Sequence, residues 1–235
     1  MSLAPGAAST GSRPRRRAVR DSERTQAAIL AAATQEFARH GLGGARVDRI
    51  AARARTNKRM LYYYFGNKEG LFLAVLEAAY ARIRNAEKTL SLLDVPPEEG
   101  VRRLVRFTWA YYLDNPEFLT LLNSENLHRA RHLRRSRELQ AMNSPLIETL
   151  REVLRRGHRG GAFRGGVDPL QLYISIAALA YFYLGNNHTL SAVFGRDLAT
   201  AAAREARLAH MVDVILGYLR TGGDARRRPR RQPGV

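Results

Sequence analysis

The chain has 235 residues, 45% hydrophobic and 26% charged, the make-up of a globular protein with one large domain or two small ones rather than a fibre or a wholly unfolded chain. Thirty-nine Lys and Arg against 21 Asp and Glu leave a formal charge of +18, which points to a polyanionic partner, nucleic acid or an anionic membrane, over an acidic or neutral client. The lack of cysteine excludes disulfides, thiolate-held zinc or iron–sulfur clusters, thiol nucleophiles and thiol redox sensors.

In chain order, residues 1–20 form a basic arm of small residues with arginines at 13, 15, 16, 17 and 20 and no acid. The arm buries too little to offset the entropy of ordering and is expected to be disordered; it either neutralises phosphates or enters a minor groove, or serves as a solubilising tail. No apolar h-region follows it, so a secretory signal is disfavoured and a cytoplasmic location is expected. Apolar positions at helical spacing predict a helix over Ser22–His40, stopped by Gly41. Further helices are predicted over Val47–Ala54, Asn57–Phe65, Lys68–Leu93, Glu98–Asn115, Phe118–Leu122, Glu125–Met142, Pro145–His158, Asp168–Phe194 and Asp197–Leu219. No sustained period-two alternation occurs, so the fold is expected to be all-α with about nine helices. The glycine-rich stretch 157–166 lacks the Lys-Ser/Thr ending of a phosphate loop and is expected to be a plain connection, with Asp168 and Pro169 opening the next helix. The longest apolar run, 170–184, carries Gln171 and Ser175 and falls short of the roughly 18 residues of a membrane span, so no membrane partner is expected. The arginine-rich tail 222–235 should be disordered.

Between Val47 and Lys68 the chain reads VDRIAARARTNKRMLYYYFGNK, two short helices joined tightly around Ala54, Arg55 and Thr56. Val47, Ile50, Ala51 and Ala54 share one face of the first helix, and Met60 or Leu61 with Tyr64 or Phe65 return the second to a core. Asn57 suits an N-cap, while Lys58 and Arg59 put cations in a first turn that ordinarily favours acids, which makes sense if a phosphate or a guanine edge faces them. Tyr62, Tyr63 and Tyr64 point about 100° apart on a helix, so at least one hydroxyl faces outward.

The runs ILAAATQEFARHG, VDRIAARA and NKRMLYYYFGNKEGLF, within Arg24–Val75, resemble the TetR/AcrR family of bacterial transcriptional regulators. The resemblance implies a helix-turn-helix DNA-binding domain over 21–67 followed by a ligand-binding and dimerisation domain over 68–221. It also implies that Lys58, Arg59, Met60, Tyr62 and Tyr63 face bases or backbone, that Tyr64 and Lys68 contact phosphate, and that Arg46 stands near the usual Ser/Thr opening the first motif helix, where it can meet a phosphate. Arg55 departs from the family's turn glycine.

Reading two half-sites requires two copies, so a homodimer through the last two long helices is expected, with a double-stranded operator as partner and ligand release as the mode of control. Polar side chains among apolar neighbours mark a candidate effector pocket: Trp109 and Tyr112; Asn123, Asn126, His128 and Arg129; Tyr173, Tyr181 and Tyr183; Asn187 and His188. His128 and His132, with Glu125, have the spacing to hold a metal, but Arg129, Arg131, Arg134 and Arg135 surround them, so no metal is expected; those arginines favour an anionic effector such as a carboxylate. The runs Asn123–Leu133 and YFYLGNNHTLSAVFGRDL are similar to a subgroup of the family associated with catabolism of aromatic or heteroaromatic acids. No cofactor is expected. The chain carries neither a Gly-x-Ser-x-Gly nor a dinucleotide fingerprint, so an enzyme is disfavoured; a sequence-tolerant architectural DNA binder shares the basic, helical composition.

Overall fold

The structure, a computed structural model, describes residues 13–220. Ten α-helices and one short 3-10 helix account for its regular elements, with no strand among the described residues beyond an isolated bridge between Phe163 and Arg220. The helices are α1 Arg13–Gly44, α2 Val47–Arg53, α3 Lys58–Phe65, α4 Lys68–Lys88, α5 Pro97–Asp114, α6 Pro116–Leu127, α7 Arg137–Arg159, α8 Pro169–Gly185, α9 Asn187–Phe194 and α10 Ala201–Leu219.

Most predicted elements are present, and the differences have local causes. Helix α1 starts at Arg13 rather than Ser22, so residues 13–20 are helical where a disordered arm was expected. Pro14 fits a first helical turn, and no breaker intervenes before Gly41, whose φ of +63 marks the expected stop. Residues 1–12 and the arginines of the C-terminal tail lie outside the described residues. The predicted helix Glu125–Met142 does not form as one piece. Arg129 and Ala130 adopt φ of +55 and +56, and the chain turns around the Glu125 carboxylate. That carboxylate, 1% exposed, accepts the backbone N–H groups of His132 (2.8 Å) and Leu133 (3.0 Å) through Oε1 and meets His132 Nδ1 at 2.6 Å through Oε2. Helix α7 then runs through Pro145 without a break. The predicted helix Asp168–Phe194 divides at Asn186, whose side-chain amide donates to the Phe182 carbonyl (2.9 Å) at the helix end. Asp168 caps α8 as expected, accepting from the Leu170 N–H at 2.8 Å with Pro169 next in line.

The chain forms two compact units. The first takes in the residues up to Ala78 together with Thr120–Ser136. Its core joins Ile29, Ala33 and Phe37 of α1 to Ile50, Leu61, Leu71, Phe72 and Val75, with the Phe37 and Phe72 rings edge to face at 5.1 Å. Segment 120–136 belongs here because it is bonded here: Ser124 Oγ accepts from the Leu42 N–H (3.3 Å), Arg131 pairs with Glu69 (2.7 Å) and Ser136 Oγ donates to Glu77 (2.7 Å). The second unit comprises Ala79–Leu119 and the chain from Arg137 onward. Val101, Leu104 and Val105 of α5 pack with Leu150 and Val153 of α7, Leu172 and Ile176 of α8, and Met211, Ile215 and Leu219 of α10.

The glycine-rich stretch behaves as a connection whose glycines serve packing. Phe163, fully buried, folds back on α7 so closely that a Cβ on Gly157 would lie 2.0 Å from its ring. Gly157→Ala is therefore expected to lower stability by about 1–3 kcal/mol through overpacking, measured by urea denaturation; an unchanged midpoint would mean the Phe163 ring is free to shift.

Candidate nucleic-acid interface and effector region

In the first unit α2 and α3 are joined by a turn in which the Thr56 N–H returns to the Ala51 carbonyl (3.0 Å). Arg55 takes φ of +51, so the left-handed geometry that usually calls on glycine is kept with a side chain in place. Arg46 precedes α2 with extended backbone and gives no side-chain cap. The same point is met by Glu36 of α1, a residue missed in the sequence: 2% exposed, it accepts the Arg46 N–H (3.1 Å) and lies 3.7 Å from the Arg49 guanidinium. The N-terminus of α2 is thus anchored to α1, and the Arg46 residue is left exposed.

Helix α3 divides its residues by face. Asn57 caps it, accepting the Met60 N–H at 3.1 Å, and Leu61 is buried under it. Lys58, Arg59, Tyr62 and Tyr63 lie at i, i+1, i+4 and i+5, one outward stripe, with Tyr63 76% exposed. Lys58 is ion-paired with Asp48 of α2, whereas the Arg59 guanidinium has no such partner among the described residues. Met60 is half-buried at the edge of the stripe. Tyr64 turns inward, where its hydroxyl accepts from Ser22 Oγ of α1 (3.1 Å) and its ring meets those of Tyr63 and Phe65. Lys68 Nζ donates to the Gly43 carbonyl at 3.2 Å. Those two residues hold α3 and α4 to α1, and Arg46, Lys58, Arg59, Tyr62 and Tyr63 are exposed, as are Arg49, Arg53 and Arg55.

The candidate pocket residues are divided between the two units. Asn123, Asn126, His128 and Arg129 fall in the first, where all but the half-buried His128 are exposed. The other seven fall in the second. There Trp109 packs on the Tyr183 ring (5.7 Å), and the Tyr183 hydroxyl donates to the Leu198 carbonyl (3.0 Å), so this pair is bound up in the packing of α5, α8 and α10. Tyr181 and Asn187 are half-buried and His188 is exposed. A cavity of about 350 Å³ in the second unit is lined by Arg84, Glu87 and Lys88 of α4, the connection 91–94, and Pro145, Leu146 and Thr149 of α7. None of the eleven expected residues lines it, because polarity along helix faces does not reveal where two helix ends and a connection fail to close. Tyr173 does reach its edge through chemistry: its hydroxyl accepts from Arg84 Nη2 at 2.6 Å. Burial pushes Glu87 up to about 7, the adjacent Arg84 recovering only part of the cost, and also raises Tyr112 and Tyr173. Arg84 and Glu87 had a visible signal, since they continue the buried stripe of Leu76, Ala79 and Ile83 with charge. The three residues Glu125, His128 and His132 do not assemble a metal site, and no group of three such ligands occurs among the described residues.

Replacing Arg55 by Gly is expected to raise stability by up to about 1 kcal/mol, because only the side chain penalises its left-handed backbone. Thermal unfolding checks this, and a lowered midpoint would show that the Arg55 side chain itself secures the turn.

Residues 29–75 match the family model of bacterial regulatory proteins of the tetR family, and residues 97–215 that of the tetracyclin repressor-like C-terminal domain. The chain is 42% identical over 198 residues to the HTH-type transcriptional repressor NicS of Pseudomonas putida, covering 84% of this chain and 93% of that one. It is 44% identical over 112 residues to the HTH-type transcriptional repressor SCO4008 of Streptomyces coelicolor, covering 47% and 54%. The crystal structure of SCO4942 from Streptomyces coelicolor superposes with a TM-score of 0.63 at 29% identity, covering 83% of this chain and 98% of that one. No described helix is long and apolar enough to cross a membrane. With a capped, basic recognition helix in the head and both halves matched, the chain belongs to the TetR family of transcriptional regulators, DNA-binding repressors rather than enzymes.

Proposed function

We propose that the protein is a dimeric repressor that occupies a pseudo-palindromic operator in the cytoplasm and is released by a small aromatic or heteroaromatic acid. The observation that carries the reading is the outward stripe of α3, where Lys58, Arg59, Tyr62 and Tyr63 stand over a buried Leu61. Arg59 has the donor geometry for a guanine edge, and the two phenols can meet phosphate or base. Arg46, at the start of α2, adds a phosphate contact.

Dimerisation is supported by apolar side chains left exposed on α8 and α10: Leu170, Ile174, Val214 and Tyr218, each 40–48% exposed. The effector class rests on the likeness of Asn123–Leu133 and Tyr181–Leu198 to regulators of acid catabolism. Release requires the acid to bind the off-DNA form better, since equal affinity for both forms moves nothing. Helix α4 begins in the head unit and ends in the unit that holds the cavity, which makes it the natural carrier of that difference.

Fluorescence anisotropy on the DNA upstream of the protein's own gene, against a scrambled duplex at fixed salt, tests the reading. Selective binding relieved by an aromatic acid is expected; equal binding to both duplexes would replace it with an architectural role. Arg59→Ala is expected to weaken operator binding by about 1–3 kcal/mol and to relax specificity, whereas Arg46→Ala should weaken both duplexes alike and reduce the salt slope by about one. Equal losses on both duplexes for Arg59→Ala would remove that residue from base reading.

A further inference from the structure

The cavity of the second unit has the size of a small-molecule site at about 350 Å³. Its lining combines apolar Leu92, Leu93, Pro145 and Leu146 with Ser91, Asp94 and Thr149 and with Arg84, Glu87 and Lys88 from the last turns of α4. The Arg84 and Glu87 side chains are only 7% and 3% exposed. Arg84 Nη1 donates to Glu87 Oε2 at 2.5 Å and Nη2 to the Tyr173 hydroxyl oxygen at 2.6 Å, while Arg84 Nε is buried with no partner among the described residues. The Tyr173 oxygen is used as an acceptor, and its own O–H has no acceptor among the described residues. Arg84 Nε and the Tyr173 O–H are thus two donors left open, and an oxyanion is a group that accepts from both.

Resting on the reading of the chain as a ligand-responsive regulator, we propose that this cavity binds a small organic acid as its carboxylate, directed to Arg84 and Lys88 with a ring-sized apolar body against Leu92, Leu93 and Leu146, and that Glu87 takes up one proton as it binds. Two carboxylates in one buried site cannot both stay ionised, so the incoming anion forces the proton onto Glu87, whose O–H then becomes a further donor. Burial has already brought Glu87 up to about 7, so the proton is taken at little cost near neutrality. The groups that interact with it are Arg84 on its own helix, Tyr111 and Tyr112 from α5 and Tyr173 from α8, and Lys88 and Asp94 line the same cavity. From α7 the cavity-lining residues are Pro145, Leu146 and Thr149, none of which titrates. The sign follows: below about 7 the proton is already present and affinity is level, and above it affinity falls by about tenfold per pH unit.

Titration calorimetry of the full chain with benzoate, and with benzamide as the neutral isostere, tests this at pH 6, 7 and 8 in two buffers of different ionisation enthalpy. Benzoate should bind with close to one proton taken up at pH 8 and about fivefold more weakly than at pH 7. Benzamide should bind at least about tenfold more weakly than benzoate at pH 7, for want of the ionised oxygens. Glu87→Gln should bind benzoate without proton uptake, Lys88→Gln, a surface change that leaves folding intact, should weaken it several-fold, and Thr149→Trp, which fills the cavity, should abolish it. Absence of benzoate binding, equal binding of benzamide, no proton uptake at pH 8, or unchanged binding by Lys88→Gln and Thr149→Trp would each overturn the proposal. Following operator anisotropy in the same titrations separates the two readings. Binding with the expected signatures but no operator release supports the cavity and overturns ligand release by such acids; release that persists in Thr149→Trp keeps ligand release and overturns the cavity.

Discussion

A carboxylate removed from water must find donors, and that constraint organises this molecule at three places. Glu36, Glu87 and Glu125 are each at most 6% exposed. Glu36 takes the backbone N–H that opens α2 and so sets the first helix of the DNA-binding pair on α1. Glu125 draws two backbone N–H groups and the His132 imidazole around itself and thereby breaks what would otherwise be one long helix. Glu87 has a single close donor, Arg84, and burial raises its acid. The first two are satisfied by the fold. The third stands beside a cavity, short of complete satisfaction, which is the pattern of a site rather than of a strut.

The head follows from the same logic of satisfied interiors and unsatisfied surfaces. Tyr64 and Lys68, polar residues at the ends of the recognition segment, spend their hydrogen bonds on Ser22 and Gly43, which fixes α3 and the start of α4 against α1. The stripe that remains, Lys58, Arg59, Tyr62 and Tyr63, is exposed and rigidly based on Leu61. Lys58 is held by Asp48, so that cation arrives at DNA already positioned, and Arg59 arrives without a competing carboxylate. A rigid base with one unpaired guanidinium suits base reading, since specificity needs donors held in place.

Segment 120–136 gives the head an unexpected component. Sequence alone assigns it to the C-terminal domain, yet Ser124, Arg131, His132 and Ser136 are all bonded or packed to residues of α1 and α4 in the first unit. Two continuous helices, α4 and α6, each contribute to both units.

The all-α class, the helix-turn-helix with its Asn57 cap, the stop at Gly41 and the Asp168–Pro169 start were legible in the sequence, because each depends on residues within one or two helical turns of one another. The outward placement of Lys58 and Arg59 was legible for the same reason: helical period alone puts them opposite Leu61. Only the tertiary structure decided that the Tyr64 hydroxyl meets Ser22, that Glu36 accepts the Arg46 N–H, and that Trp109 packs on Tyr183. Those outcomes turn on partners 10, 42 or 74 positions away along the chain, in Glu36–Arg46, Ser22–Tyr64 and Trp109–Tyr183. The cavity was hidden for a related reason. A void is set by where elements fail to meet, and periodicity describes the faces of single elements; the charges of Arg84 and Glu87 on a buried stripe were its only local trace.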